Sequence, residues 1–258
     1  MKYDLLQKKI KILMGGSKPN LFFIHIPKTG GTSVDSAISS YYWGNSYQID
    51  ANYSRKAAQV LYPPDGNLLT DKSKFRQHLI LYEMAKGTKY ISGHVNFNLD
   101  IWKAYHDSYA YITILRDPVK RYISQYFFDK FKDKNKSEIE EDLPDFLNIS
   151  RGQARGMSYI NYFGGFSPND PRDIQEKMKI AKENLPKFKL IGFLENLNMF
   201  VEKFKQQFGL NLRIPHRNKN PIANPEVDRK TIEQIKELCA FDIELYNYAK
   251  EKYLGKSI

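Results

Sequence analysis

Cysteine is almost missing from this chain. Cys239 stands alone among 258 residues, which excludes an intramolecular disulfide and a cysteine-built metal cluster. It falls in a helical pattern beside Leu238 and reads as core. Long hydrophobic runs are missing as well. Residues 1–20, MKYDLLQKKIKILMGGSKPN, are basic and amphipathic, without an apolar segment long enough for a signal peptide or a membrane span, and no later stretch qualifies. The expectation is a reducing, cytoplasmic location with no transmembrane segment and at most a peripheral membrane contact. Asn148-Ile149-Ser150 fits a glycosylation sequon, which has no meaning without secretion. Acidic residues are also scarce, 29 against 40 Lys and Arg, for a net charge of +11. That excess suits an anionic partner such as a nucleotide, an acidic polysaccharide, nucleic acid or a membrane surface. Much of it is lysine spread along helical patterns, where a solvated face explains it equally well, so charge permits these partners without choosing among them.

With 41% hydrophobic and 27% charged residues the composition is that of an ordinary globular protein, long enough for one large core. The expected organisation is a single domain over 1–258, with 1–20 an N-terminal extension. Residues 44–74 and 130–170 are read as insertions that form an acceptor region. The first of these is polar and tyrosine-rich, punctuated by Pro63-Pro64-Asp65-Gly66, and predicts irregular structure with one short helix. Strands are predicted at Leu21–Ile26, Lys89–Ser92, Tyr109–Leu115 and Lys189–Leu194. Helical patterns lie between and after them, including Phe75–Lys86 ended by Gly87, Pro118 towards Phe131, and Leu197–Phe208. Alternating strands and helices imply an α/β fold: a three-layer, P-loop-like arrangement with a mostly parallel central sheet covered by helices on both faces. Ligands of such sheets gather at the carboxyl ends of the strands, where this chain presents Lys28, His94 and Arg116.

The stretch Leu21 to Tyr42 carries the first candidate site. An apolar strand leads into Pro27-Lys28-Thr29-Gly30-Gly31-Thr32-Ser33, and Val34, Ala37, Ile38, Tyr41 and Tyr42 then form one stripe of a helix. Gly30 and Gly31 allow positive φ and close approach of the backbone to a ligand. Thr32 or Ser33 is placed to cap the helix, whose N–H groups and dipole face the turn, and Lys28 adds a full charge. The turn reads as a phosphate cradle, although an ordinary strand–turn–helix with a solvated lysine has the same pattern. It is not a nucleotide triphosphatase P-loop, because its lysine precedes the glycines and no Gly-Lys-Ser/Thr occurs in the turn. The strand YITIL ends on Arg116, not on a metal-holding aspartate.

Arg116 at that strand end is a good bidentate phosphate ligand. Asp117 can cap the following helix with Pro118 at its first position. Ser124 lies two turns further along the same face, so Arg116 and Ser124 can hold a second phosphate. Pairing of Arg116 with a nearby acid, and a solvated Ser124, is the competing reading.

These two segments resemble the sulfotransferases. Pro27–Ser33 after a strand is similar to their 5′-phosphosulfate loop, and Arg116-Asp117-Pro118-Val119-Lys120-Arg121-Tyr122-Ile123-Ser124-Gln125-Tyr126 to their 3′-phosphate segment. The likeness is greatest to carbohydrate enzymes of the heparan sulfate 2-O- and uronyl 2-O-sulfotransferase type. Leu190–Glu195 and Phe241–Tyr246 resemble later parts of the same family, with Gly44–Asp71 and Lys130–Asp142 unmatched.

The resemblance implies 3′-phosphoadenosine 5′-phosphosulfate as donor, adenosine 3′,5′-bisphosphate as product, and no metal. It implies Lys28 as the group that stabilises the leaving charge, and Ser33 as its modulator before the acceptor binds. Thr29, Gly30, Gly31 and Thr32 join these two at the nucleotide's 5′ end; Arg116 and Ser124 hold the 3′-phosphate, and Arg217 in a basic loop is an extra contact. In Gly93-His94-Val95-Asn96-Phe97, His94 aligns with the family's catalytic base. Ser92 stands where those enzymes carry a further histidine. The acceptor implied is a hydroxyl of a glycan or glycolipid, not nucleic acid. His25 is expected to be packed beside the site, and His78 and His106 to have no role. Arg151, Arg155, Tyr159, Tyr162 and Phe163 are candidates for a sugar cleft, or else a lid helix with core aromatics. The readings that compete with a sulfotransferase are a P-loop-like nucleotide kinase and a non-catalytic protein that binds acidic glycans.

Overall fold

A computed structural model describes residues 18–61, 68–131, 139–166, 170–214 and 225–255. The central sheet has five parallel strands: β1 (Asn20–Ile24), β2 (Ser46–Gln48), β3 (Tyr90–Gly93), β4 (Tyr109–Leu115) and β5 (Leu190–Phe193), in the order β2-β3-β1-β4-β5. The helices are α1 (Gly31–Ser39), α2 (Ala51–Leu61), α3 (Leu68–Lys86), α4 (Leu99–Tyr105), α5 (Pro118–Phe131) and α6 (Leu143–Asn148), then α7 (Ser150–Ala154), α8 (Ser158–Gly164), α9 (Ile174–Asn184), α10 (Leu197–Phe208), α11 (Arg229–Leu238) and α12 (Ala240–Leu254). Among the described residues no helix is long and apolar enough to cross a membrane.

Apart from β2, the strands are buried on both faces, and the period of two divides their side chains between two cores. Phe22, Ile24, Ile91, Tyr109 and Tyr111 pack with Ile80 and Met84 of α3, Tyr159 and Phe163 of α8, Met178 of α9 and Leu245 of α12. Leu21, Phe23, Tyr90, Ile112 and Ile114 pack on the other side with Val34 and Ile38 of α1 and Phe200 and Phe204 of α10. Each such side chain contributes about 1.5–3 kcal/mol when fully buried. This is the three-layer α/β architecture expected from the alternation of elements. A third core, of Tyr122, Tyr126, Phe127, Phe146, Leu147, Ile235 and Cys239, joins α5, α6 and α11. Cys239 is buried there, as its pattern implied.

Residues 44–61 are more regular than expected. They form β2 and α2 around a few fixed points. Gln48 donates to buried Asp35 at 2.6 Å, and Ile49 is buried after donating its N–H to the carbonyl of Ser92 at 2.9 Å. Asp50 then accepts the N–H groups of Asn52 and Tyr53 at 2.7 and 2.8 Å, which starts α2. An edge strand of three polar-flanked residues carries too weak a pattern to be read from sequence.

The topology decides where the functional groups meet. The chain leaves central β1 to build β2 and β3 on one side, and later β4 and β5 on the other. All strands run the same way, so the turn after β1 lies between the ends of β3 and β4, strands about 5 Å from it on either side.

Candidate active site

The turn after β1 starts with one more rung of the ladder. The N–H of His25 donates to the carbonyl of Gly93 at 3.0 Å, which sets the His25 carbonyl beside His94. Nδ1 of His94 lies 2.6 Å from that carbonyl oxygen. Nδ1 therefore carries the proton as donor, and the lone pair of the neutral ring is on Nε2. The two imidazoles are 4.5 Å apart, and the His25 ring also stacks on Phe23. Burial first, and the neighbouring His94 second, lower the pKa of His25 to about 3, so His25 is a neutral ring at working pH.

The backbone then takes two left-handed steps, at Lys28 with φ 66° and at Gly30 with φ 78°. Lys28 is the only non-glycine among the described residues with positive φ, a conformation that costs about 1–2 kcal/mol outside glycine. Gly31 opens α1 against the His25 ring: a Cβ there would come within 2.2 Å of it. Gly30 is itself the N-cap residue, and no side-chain oxygen caps α1. The expected cap at Thr32 or Ser33 is thus incorrect. The left-handed glycine starts the helix earlier and puts both hydroxyls inside it, with the N-terminal N–H groups facing the turn. The hydroxyl of Thr29 is buried and donates to the carbonyl of Ile26 at 2.9 Å, so its backbone is what remains for a ligand.

On the β4 side Arg116 reaches back to the turn. Its Nη1 donates to the carbonyl of Lys28 at 3.2 Å, and among the described residues it makes no ion pair. Burial lowers its pKa somewhat, and Glu195, Tyr159 and Asp117 act against that. Among the described residues, then, Arg116 is not paired with an acid. Asp117 caps α5 as expected, accepting the N–H of Lys120 at 2.9 Å. Ser124 is buried on α5, and its hydroxyl has no hydrogen bond among the described residues. Phe128, one turn beyond, lies under the ammonium of Lys28 at 3.7 Å. At the carboxyl end of the sheet Lys28 is thus tied to Arg116 and to Phe128 of α5, the helix that carries Ser124, and His94 is tied to the start of the same turn through His25. Arg217 lies outside the described residues.

Several contributors were not read from the sequence. Arg76 of α3 donates to the carbonyls of His94 and Ala51 at 3.0 and 3.2 Å and to Ser54 Oγ at 3.0 Å, tying residues 51–54 to the His94 segment. The N–H of Phe97 donates to the carbonyl of Tyr162 at 2.8 Å and the side chain of Asn96 to that of Phe166 at 2.9 Å. No local pattern signals these long-range ties. Ser92 is fully buried in β3, and its hydroxyl has no hydrogen-bond partner among the described residues. Of the residues weighed for a sugar cleft in α7 and α8, Tyr159 and Phe163 are core residues and Arg155 pairs with Asp129 at 2.7 Å, whereas Arg151 is exposed and Tyr162 half-buried. The core-aromatic part of the other reading holds for Tyr159 and Phe163.

A parallel sheet whose central strand ends in a lysine–glycine turn and an uncapped helix defines an α/β protein with a P-loop-like anion site. The chain belongs to the sulfotransferase family, whose model matches residues 13–249. It is 27% identical to heparan-sulfate 6-O-sulfotransferase 2 of Gallus gallus over 182 residues, 58% of this chain and 45% of that one. It is 26% identical to uronyl 2-sulfotransferase of Homo sapiens over 195 residues, 62% of this chain and 46% of that one. The chain thus spans under half the length of these relatives. Carbohydrate sulfotransferases are the shared kind; 6-O relatives stand beside the uronyl one, so the likeness is not particular to the 2-O type. The structure of mouse sulfotransferase SULT7A1 complexed with PAP is similar at TM-score 0.40 and 14% identity, over 92% of this chain and 70% of that one.

Proposed function

We propose that the chain transfers a sulfuryl group from 3′-phosphoadenosine 5′-phosphosulfate to a hydroxyl of a glycan or glycolipid acceptor. The observation that carries this reading is the order of three strand ends: the Lys28 turn in the centre, His94 on one side and Arg116 on the other. Two cradles fit the two ends of the donor. The left-handed turn and the uncapped start of α1 suit its 5′ end, held by Lys28, the backbone of Thr29, Gly30 and Gly31, and Thr32 and Ser33. Arg116, with no ion pair among the described residues, and Ser124, with no hydrogen bond among them, suit the 3′-phosphate.

When bound, the donor supplies an activated sulfuryl group and a nucleotide leaving group. His94 holds its Nδ1–H on the His25 carbonyl, and its Nε2 takes the proton of the acceptor hydroxyl. Lys28 places a full positive charge where negative charge develops on the leaving oxygen. The acceptor approaches over α2 and α3. Arg55, Lys72 and Arg76 lie close enough there for each arginine to disfavour the charge of Lys72, beyond the effect of burial. Such a basic cluster beside the base supports an acidic sugar, and it supports 44–74 as part of the acceptor region. Cytoplasmic residence belongs to the proposal too, supported by the scarcity of cysteine.

Calorimetric titration with adenosine 3′,5′-bisphosphate tests the reading, beside ATP with magnesium. Tight binding of the bisphosphate, abolished by Arg116→Ala, is the expected result. Preference for ATP with magnesium would put a nucleotide kinase in its place. Polyanion binding that survives Lys28→Ala and His94→Ala, with no turnover by any form, would make the chain a non-catalytic binder.

A further inference from the structure

Arg116 and Asp117 occupy the gap between the last residue of β4 and the first of α5, where neither the sheet ladder nor the helix supplies a regular set of backbone partners. Two side chains from distant segments supply them. The hydroxyl of Tyr159, in α8, accepts the N–H of Arg116 at 2.9 Å and donates to the carbonyl of the same residue at 2.5 Å. Glu195, just beyond β5, accepts the N–H of Asp117 at 2.9 Å.

Both of these side chains are held from behind by one helix. Asp242 of α12 is fully buried and accepts the N–H groups of Tyr159 and Ile160 at 2.9 and 3.1 Å, anchoring the start of α8. Tyr246, four residues on and on the same face of α12, donates to the second oxygen of Glu195 at 3.0 Å. Arg121, one turn into α5, lies 3.9 Å from Asp242 and donates to the carbonyl of Arg155 at 2.6 Å. Consecutive residues of the phosphate-binding turn are thus each fixed through one intermediary to a single rigid face. The guanidinium of Arg116 starts from that fixed backbone and meets the Lys28 carbonyl.

We propose that Tyr159 and Glu195 are positioning residues for Arg116, with α12 as the template that holds both, and that this clamp sets recognition of a nucleotide 3′-phosphate. The inference rests on the donor-binding reading above. Neither side chain touches the ligand; each acts on the backbone from which Arg116 extends. A guanidinium displaced by a fraction of an ångström loses the bidentate geometry that makes arginine selective for phosphate.

The experiment compares adenosine 3′,5′-bisphosphate with adenosine 5′-phosphate, which lacks only the 3′-phosphate, by calorimetric titration alongside thermal melting. Tyr159→Phe keeps the buried ring and deletes the bracketing hydroxyl. Glu195→Ala removes the second clamp, whereas Glu195→Gln keeps an oxygen for the Asp117 N–H. The expected result is that Tyr159→Phe and Glu195→Ala each weaken the bisphosphate about tenfold while adenosine 5′-phosphate changes less than about twofold. Glu195→Gln then binds both nucleotides as the unsubstituted chain does. If the variants lose both nucleotides in parallel with melting temperature, or keep the full preference for the bisphosphate, the clamp is structural only and the proposal is overturned. If Tyr159→Phe does not fold, the Glu195 pair decides alone. An unsubstituted chain with no preference for the bisphosphate would overturn the donor reading itself, and the clamp with it.

Discussion

His94 takes its orientation from the backbone of His25, whose carbonyl oxygen lies 2.6 Å from His94 Nδ1. The relationship fixes the tautomer that a general base needs. It also separates two neighbouring imidazoles: the buried His25 stays neutral, and His94 is the ring to which the proposed reaction gives the acceptor's proton. A His94→Asn substitution removes the basic nitrogen and leaves both phosphate cradles in place. Turnover falls by about 10²–10⁴-fold, the usual share of a general base. Affinity for adenosine 3′,5′-bisphosphate stays as it was. Transfer of labelled sulfate, measured beside nucleotide titration, checks the two halves of that statement, and parallel loss of both would move His94 from catalysis to binding.

The neutral state of His25 has a consequence for stability. Its pKa falls from 6.5 to about 3 on folding, so the unfolded chain takes up the proton first. The stability this group contributes is fully present above about pH 6.5 and is lost as pH falls towards 3. Asp242 has the opposite sign. Burial raises its pKa to about 7, so its contribution is present below about pH 4 and lost as pH rises to 7. The two partly offset each other between pH 4 and 6.5. Melting temperatures of the chain and of His25→Phe, taken across pH 3.5–7.5, isolate the first. The advantage of the histidine form grows as pH rises to about 6.5 and is level above it, and a difference independent of pH would show that His25 is not buried as a neutral ring.

Gly31 is required for a steric reason. A methyl group there would stand 2.2–2.4 Å from the ring of His25, which is confined by Phe23 and His94. Gly31→Ala therefore displaces the ring whose backbone orients the base. An overpacked site of this kind costs about 1–3 kcal/mol. Urea unfolding is expected to show that loss together with reduced turnover. A control at Gly87, where an added Cβ meets nothing within 4 Å, carries the backbone strain of φ 80° alone and leaves turnover intact.

The parts of this site that were legible in the sequence are those with local signals. YITIL is a run of buried β-formers, and β4 covers Tyr109–Leu115 as expected. Asp117-Pro118 is a local start signal, and α5 begins at Pro118. The glycine turn, Arg116 and His94 stand at strand ends because strands and turns are short-range features. The helix start at Gly30 was missed because the close approach of Leu194 to this left-handed glycine, and of His25 to Gly31, is not visible as a pattern. Tyr159 stayed open between a sugar-stacking and a core aromatic because an isolated short helix does not show which face is covered; its partners are 43 and 83 residues away. Positioning depends on such pairings, and they follow from the assembled sheet.

The hydrogen bond from Arg116 to the Lys28 carbonyl ties the two cradles to each other, and it does so at the strained residue of the turn. A lysine held at φ 66° gives up stability that a glycine would keep, which is expected where the ammonium itself is needed. Two substitutions separate the backbone from the side chain. Lys28→Ala retains the strain and loses the ammonium with its contact to Phe128, whereas Lys28→Gly loses the ammonium and relieves the strain. Turnover should fall in both by about 10²–10³-fold, the scale of a lost charge-stabilising group. Stability separates them, with Lys28→Gly the more stable of the two by about 0.5–1 kcal/mol after allowance for the greater chain entropy of glycine. Urea unfolding of the pair reads that difference directly. Equal stability would mean that the turn relaxes once the lysine is gone, and that the left-handed step is imposed by the side chain and not by the frame around it.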